Sequence, residues 1–308
     1  MENTIRNGYV FGRAVVAVTF SPRLTAVLNT AHFLLKQINT QPVIVHAGEE
    51  SPDLRGKLEQ AINRSDFGEH PPVCALEDGN PADAIIRLAG KTNADLIVAG
   101  ANARENIFRY YLGSVARRLI RYAPCSLLLL THPKTHPVAL KRVHCSVDFH
   151  KSDHKAVAAA CRFADAFNAE LYFTHSFSLP DWSEKKDISR NEFYPRIYRE
   201  KEDILDTFLN KLGIERKYNA RCISQHWGGT VLDYSLEIDA DLIVMSDKNI
   251  SKGILKHLIP KSSDVPLTDL PLPLTVNVEQ LIISESIGSL KVAVILLITA
   301  TSDCPLVV

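Results

Sequence analysis

The sequence lacks an excess of charge of either sign and has no long hydrophobic run. Thirty-five basic residues balance thirty-five acidic residues, which argues against nucleic-acid or membrane-surface partners because both require a basic excess. The longest apolar run, 292–300, is about half of the roughly 20 residues that a membrane-spanning helix needs. The first 13 residues lack the apolar core of a signal peptide. We therefore expect a cytoplasmic protein.

Motifs for disulfide frameworks, metal sites and catalysis are also missing. The six cysteines, Cys74, Cys125, Cys145, Cys161, Cys222 and Cys304, form no CxxC pair. We expect them to be reduced and expect no metal beyond Mg²⁺ accompanying ATP. The sequence contains neither a GxSxG nor an HExxH motif, so we predict that the protein is not an enzyme. The fragment "AGKT" at 89–92 resembles part of a phosphate-binding loop, but Ile85 stands where that loop has glycine, which favours a helix C-terminus.

An internal repeat organises the chain. Three pairs of matching residues define it: Thr19 and Asp148, His46 and His175, Asp95 and Asp241. The first two pairs are 129 positions apart and the third is 146 positions apart, so the second copy carries an additional loop. We predict domains at 1–133 and 139–308, joined by the proline-containing segment "THPKTHPV" at 131–138.

Within each copy, short apolar runs alternate with amphipathic stretches. The first copy has such runs at 15–18, 43–45, 96–99 and 127–130. Uninterrupted apolar runs are typical of strands buried on both faces. Residues 25–38 carry a helical stripe, and Asn80-Pro81 is a helix-start signal. The alternation predicts two tandem doubly wound α/β domains, Rossmann-like or flavodoxin-like, each with a mostly parallel sheet.

A candidate anion cradle follows the run at 96–99. Gly100 comes directly after this strand, where open parallel sheets bind ligands. Gly113-Ser114 then opens a helix, and the free N–H groups of a helix start are suited to hold an anion. Arg117, Arg118 and Arg121 follow on that helix, either as a solvated face or as support for the anion.

The spacing Gly100-x2-Ala103-x9-Gly113-Ser114 resembles the Gly-x2-Gly-x9-Gly-Ser/Thr signature of the nucleotide-binding branch of the universal stress protein family. The segments "DGNPADAII", "APCSLLLL", "VTFSP" and "VDFHKSD" are also similar to segments of that family. The resemblance implies five-stranded domains that pair through their last strands, here 127–130 and a C-terminal counterpart, and a stress-response regulatory function. It also implies ATP or AMP as a ligand of the first copy and self-association as a dimer.

The resemblance also implies a set of binding residues in the first copy. They are Val18, Thr19, Ala47, Ala99, Gly100, Asn102, Ala103, Gly113, Ser114 and Val115. Two of them depart from the family pattern: Thr19 replaces an acidic residue and Ala103 replaces the second glycine. Arg104 and Arg109 either offset the second change by pairing with phosphate or belong to a solvated loop. The alternative function is therefore a scaffold that binds an unknown protein partner and no nucleotide.

The second copy departs from the pattern differently. It keeps an acidic residue, Asp148, but has Ser246 and Asn249 in place of glycines. In one interpretation Gly288-Ser289 opens a helix-like run before a terminal strand that follows Cys304, which makes 259–286 an insertion. Gly288 and Ser289 then join Asp148 as candidate nucleotide-binding residues of the second copy. In the other, "LPLPLTVNV" is the last strand and the tail is an additional hairpin or arm.

We expect neither a metal nor a catalytic role for the histidines of the two copies. We predict that His144, His150 and His154 lie at the surface without a metal. His46 and His175 end equivalent strands, and we expect both to be satisfied within the fold.

Overall fold

The strands join into one sheet across both copies. The computed structural model describes residues 11–101, 113–180, 189–224, 231–246 and 294–298. The strands are β1 Arg13–Val18, β2 Gln41–Ala47, β3 Val73–Glu77, β4 Leu96–Gly100, β5 Ser126–Leu130, β6 Arg142–Val147, β7 Glu170–Phe177, β8 Asn219–Ser224, β9 Leu242–Ser246 and β10 Val294–Ile298. The helices are α1 Leu24–Gln37, α2 Pro52–Asn63, α3 Pro81–Lys91, α4 Ser114–Tyr122, α5 Lys151–Phe167, α6 Arg190–Lys211 and α7 Val231–Glu237.

The two halves have the same strand order. The sheet runs β3-β2-β1-β4-β5-β10-β9-β6-β7-β8, so each half reads third, second, first, fourth, fifth strand from its outer edge. All pairings within a half are parallel. The pairing of β5 with β10 is antiparallel. The predicted doubly wound fold is confirmed, and the two five-stranded sheets meet through their last strands within one chain.

The apolar runs form strands because both faces of the sheet are covered. Neighbouring residues of a strand point to opposite faces. Val16 therefore packs in one core with Leu28 of α1, whereas Val15 packs in the other core with Ile85 of α3 and Leu119 of α4. At about 25 cal/mol per Å² of buried apolar surface, such burial is the main favourable contribution to the free energy of folding.

Helix α3 begins and ends where its residues predict. The Asn80 side chain accepts a hydrogen bond from the Ala82 N–H at 3.1 Å, and Pro81 is the first helical residue. Thr92 is the C-cap. The fragment at 89–92 is therefore the end of a helix, as expected.

Helices of the two halves also contact each other beside the seam between β5 and β10. The Phe33 ring of α1 lies 5.5 Å from the Phe167 ring of α5. Arg162 donates to the Ile38 carbonyl at 2.8 Å. The 131–138 linker lacks helix and strand, yet the Lys134 N–H donates to Thr30 Oγ1 at 2.8 Å. The linker is thereby fastened to α1.

The apolar run near the C-terminus is a strand, which corrects the helix-like interpretation. β10 pairs parallel with β9 and antiparallel with β5, and a short apolar run does not by itself distinguish a buried strand from a helix. Gly288, Ser289, Cys304 and the segment "LPLPLTVNV" lie outside the described residues, so their assignments stay predictions. The domain boundaries at 1–133 and 139–308 and the insertion at 259–286 also stay predictions.

The structure also describes the state of the cysteines and the apolar character of the helices. The five cysteines within the described residues are free. No helix in this part of the chain has the length and apolar character to cross a membrane.

Candidate functional site

The first half has a switch point between β1 and β4. β1 pairs with β2 on one side and with β4 on the other. Register matches Ala17 with Ala99, so the carboxyl ends of the two strands, Val18 and Gly100, lie side by side. Crevices at such points are where open α/β sheets bind ligands.

The residues along the rim of this crevice differ in whether they offer a ligand backbone atoms or side-chain atoms. The Val18 carbonyl accepts a hydrogen bond from His46 Nδ1 at 3.1 Å, so His46 is satisfied within the fold as expected. Thr19 is exposed, Ala47 is half-buried and Ala99 is buried. Ala99 packs into the core with Ile97 and Val15. It therefore offers only backbone to a ligand, whereas the Thr19 hydroxyl is accessible.

Gly100 has a packing explanation that does not require a ligand. A Cβ built on it would lie 3.1 Å from Val27 Cγ2 of α1, a tight contact. The repeat places Ser246 and Ala156 at the corresponding positions of the second half. A larger residue on the strand accompanies a smaller residue on the helix there, so Gly100 and Val27 read as a size-matched pair.

Gly113 has no such explanation. It is the N-cap of α4 with φ −59° and ψ 160°, a conformation open to any residue. Among the residues that the structure describes, a Cβ there would meet no atom within 4 Å. Its lack of a side chain leaves the first N–H groups of α4 without a capping side chain, and the first turn carries no acidic residue. These N–H groups and the exposed Ser114 hydroxyl suit an anion.

A basic cavity runs along the same helix. It has a volume of about 450 Å³ and is lined by Asn80, Ala82, Ser114, Val115, Arg117, Arg118, Arg121 and Tyr122. Arg118 forms an exposed ion pair with Asp83 at 2.8 Å. The α4 arginines therefore share one cavity with the helix start and do not point to separate surfaces.

Arg23 is a basic residue of this edge that the sequence reasoning missed. Its guanidinium donates to the Ala101 carbonyl at 3.2 Å and to the Thr131 carbonyl at 2.7 Å. It thus bridges the chain just beyond the ends of β4 and β5. Its partners are 78 and 108 positions away, and no local pattern signals such contacts.

Several predicted residues cannot be located. Asn102, Ala103, Arg104 and Arg109 lie outside the described residues, as does Asn249 of the second half. Their roles stay predictions. Among the residues that the structure does describe, no group of three or more His, Cys, Asp or Glu side chains is arranged to hold a metal ion.

In the equivalent crevice of the second half, Asp153 links the ends of two strands. This side chain is fully buried. One carboxylate oxygen accepts from the backbone N–H groups of Asp148 and His150 at 2.7 and 3.0 Å. The other accepts from the Ser246 hydroxyl at the end of β9, at 2.5 Å. The carboxylate therefore bridges the ends of β6 and β9 and places negative charge where a phosphate would approach.

Asp148, the acid retained by the second half, lies near two histidines. Its carboxylate lies 3.6 Å from His175 Nδ1 and 3.9 Å from His150 Nε2. His175 Nδ1 also contacts the Val147 carbonyl at 3.1 Å, which repeats the His46 arrangement. His175 is thus satisfied within the fold, as expected.

His144 is fully buried, so the prediction that it lies at the surface is wrong. Nδ1 lies 2.6 Å from Ser235 Oγ and Nε2 lies 2.7 Å from Thr174 Oγ1. Ser235 Oγ donates to the Val231 carbonyl at 2.7 Å, so it accepts from His144 Nδ1–H, and Nε2 accepts from Thr174. Burial lowers the pKa of His144 to about 3. His150 is half-buried and His154 is exposed.

Comparison with known proteins gives three findings. Residues 11–131 match the universal stress protein family. A universal stress protein of Methanocaldococcus jannaschii is 44% identical over 57 residues, which is 18% of this chain and 34% of that protein. Across the first relatives that match, the chain spans between about a third and a half of their length.

Solved structures extend the likeness to both halves. A functionally unknown protein from Pseudomonas aeruginosa PAO1 aligns with 96% of this chain and 94% of its own, with a TM-score of 0.62 and 11% identity. A putative universal stress protein from Pseudomonas aeruginosa UCBPP-PA14 covers 94% of this chain and 93% of its own, with a TM-score of 0.60 and 13% identity. At these identities the likeness concerns the fold alone.

Proposed function

We propose that this chain, whose residues 11–131 match the universal stress protein family, is a tandem universal stress protein that regulates the stress response and binds one adenine nucleotide. The nucleotide, ATP or AMP, binds at the carboxyl edge of the first half without catalytic turnover. The observation that carries the proposal is Gly113, a glycine that neither its backbone conformation nor contact with the described residues requires.

The residues at this edge fit a nucleotide by their chemistry. The N–H groups of the first turn of α4 and the Ser114 hydroxyl bind phosphate oxygens. Arg117 and Arg121 line the same cavity and neutralise phosphate charge. Val18, Thr19 and Ala47 lie at the ends of β1 and β2, where they border the nucleoside. A bound ATP brings Mg²⁺ as a counter-ion.

The second half lacks the corresponding features among its described residues. Asp153 and Ser246 bridge the crevice, and the buried carboxylate repels phosphate. We therefore propose one nucleotide for each chain and no binding by Asp148.

Binding at α4 has a route to the rest of the molecule. α4 leads directly into β5, and β5 pairs with β10 of the other half. A ligand that orders the start of α4 stabilises the arrangement in which the two halves meet at this seam. In this proposal, nucleotide occupancy sets the state that a protein partner recognises.

A scaffold without nucleotide is the second candidate function. The exposed Thr19 favours it, because a hydroxyl replaces the carboxylate that the second half retains as Asp148. In that case both crevices are structural, and the protein acts through its surface alone.

The test is the nucleotide content and nucleotide response of the purified full chain. We expect denatured protein to release about one ATP or AMP per chain, and millimolar ATP to raise the melting temperature of nucleotide-free protein. The Gly113→Val variant should fold and lose at most about 1 kcal/mol of stability, because valine is a poorer N-cap than glycine but its Cβ meets no described atom within 4 Å. It should lose the response to ATP.

Gly90→Val is the matched control, since a Cβ at Gly90 of α3 also meets no atom within 4 Å. It should keep the ATP response. Absence of released nucleotide together with an unchanged wild-type melting temperature in ATP would establish the scaffold function instead.

A further inference from the structure

A groove in the first half exposes an aromatic ring that its counterpart in the second half keeps covered. Phe20 follows β1 and is 41% exposed. Its ring centroid lies 4.6 Å from the ring of His46. Phe149, its repeat counterpart after β6, lies 4.2 Å from His175, which is the counterpart of His46. The aromatic–histidine pair is thus present in both halves.

A third ring completes the cluster only in the second half. Phe208 of α6 contacts Phe149 edge to face, with centroids 5.4 Å apart. Aromatic pairs in this geometry add about 0.5–1.5 kcal/mol beyond the area they bury. In the first half, the helix between the second and third strands is α2, with 12 residues, whereas α6 has 22. The shorter helix leaves the Phe20 ring without this cover.

The uncovered ring borders a groove of about 410 Å³. Its lining consists of Phe20, Leu54, Lys57, Gln60, Ala61 and Arg64. Leu54 and Ala61 form an apolar floor on α2, while Lys57, Gln60 and Arg64 are exposed at the rim. Two cations and no carboxylate line this groove. Lys57 pairs with Asp53 at 2.7 Å, but both side chains are largely exposed and the pair is weak.

We propose that this groove docks a helix of another protein that carries an aromatic side chain preceded by acidic residues. The aromatic ring would cover Phe20 as Phe208 covers Phe149, and the acidic residues would face Lys57 and Arg64. A helix is favoured because a helix performs this role in the second half of the same chain. The segment of α6 before Phe208 has this composition, with Glu202, Asp203 and Asp206 within two turns.

The proposal does not rest on nucleotide binding, so its test uses full-length protein without nucleotide. The probe is a fluorescent peptide with the sequence of residues 197–212, which presents Phe208 after four acidic residues, Glu200, Glu202, Asp203 and Asp206. Anisotropy titration should show saturable binding that weakens with added salt. The same peptide with Phe208→Ala should bind at least about tenfold more weakly, a difference of about 1.4 kcal/mol.

Three protein variants locate the binding. Lys57→Glu with Arg64→Glu should weaken the peptide about tenfold, and Ala61→Phe should abolish binding by filling the groove. Lys141→Glu with Lys217→Glu reverses the same number of exposed charges on the second half and should bind like the wild type. A flat titration with wild-type protein, or equal binding by all variants, would overturn the proposal.

Discussion

Three buried positions, two on strands of the sheet and one on a helix packed against it, carry opposite chemistry in the two halves. The second half has His144, Thr174 and Ser235, and the repeat places Val15, Val45 and Ala89 at the same positions of the first half. All six are essentially inaccessible to solvent. The same fold thus accepts an apolar trio or a polar trio, provided that every polar atom of the latter has a partner.

The two switch points show the same contrast at the edge of the sheet. Leu24 and Gly100 of the first half correspond to Asp153 and Ser246 of the second. The polar pair bridges the crevice with a buried hydrogen bond, whereas Leu24 and Gly100 form no such bridge. The two copies of one fold therefore differ in the chemistry of this edge through a few residues at strand ends and helix starts.

The largest expected effect is at Asp153. Asp153→Ala removes one buried carboxylate and leaves the Ser246 hydroxyl and two backbone N–H groups without their acceptor. We expect the free energy of unfolding to fall by about 3 kcal/mol. Urea denaturation followed by circular dichroism measures this.

The control is Leu24→Ala, at the matching position of the first half. Leu24 is half-buried, so its truncation should cost about 1 kcal/mol. Equal losses for the two variants would contradict the idea that Asp153 locks the second crevice.

The buried histidine predicts the next largest effect. Its pKa of about 3 in the folded protein lies below its ordinary value of 6.5. The unfolded chain therefore takes up the proton first as the pH falls, and the free energy of unfolding decreases from pH 6.5 down to about 3. The slope is about 1.4 kcal/mol per pH unit, or about 2 kcal/mol lost by pH 5.

Replacing the polar trio by the corresponding residues of the first half tests whether His144 causes this pH dependence. The triple change His144→Val, Thr174→Val and Ser235→Ala should remove that share of the pH dependence while preserving the fold, because it reproduces the packed apolar trio. Urea denaturation at pH 7 and pH 5 compares the two proteins. If the triple variant keeps the full wild-type loss between these pH values, His144 is not its source.

The same residues show what the sequence predicted and why the rest escaped it. Uninterrupted apolar runs located the strands of the first half, since burial on both faces leaves a local signal. His144 was misassigned because its partners lie 91 and 30 positions away. Its alignment with buried Val15 was the available signal for burial. The β10 run was ambiguous between helix and strand, and only pairing with β9 and β5 decides it.

The candidate site also contains features that the sequence predicted and features that it did not. The start of α4 at Gly113-Ser114 followed from spacing, and the structure has a helix beginning there. The contacts of Arg23 and the Asp153–Ser246 hydrogen bond join residues that are 78 to 108 positions apart in the sequence. The sequence alone does not predict that these residues meet. A repeat comparison finds the positions of such contacts but not their geometry.

The smallest expected effect on stability comes from Thr19→Asp, which gives the first half the residue type of Asp148 in the second half. Thr19 is exposed, so Thr19→Asp should change the free energy of unfolding by less than about 0.5 kcal/mol. It supplies the carboxylate that the first half lacks beside the nucleoside, and a carboxylate accepts hydrogen bonds more strongly than a hydroxyl. We expect ATP to bind several-fold more tightly by calorimetric titration. Asp148→Thr should leave ATP affinity unchanged, because the Asp153 carboxylate bridges the second crevice to Ser246 and repels phosphate. Weakening of ATP binding by Asp148→Thr would instead mean that the second half takes part in the nucleotide site.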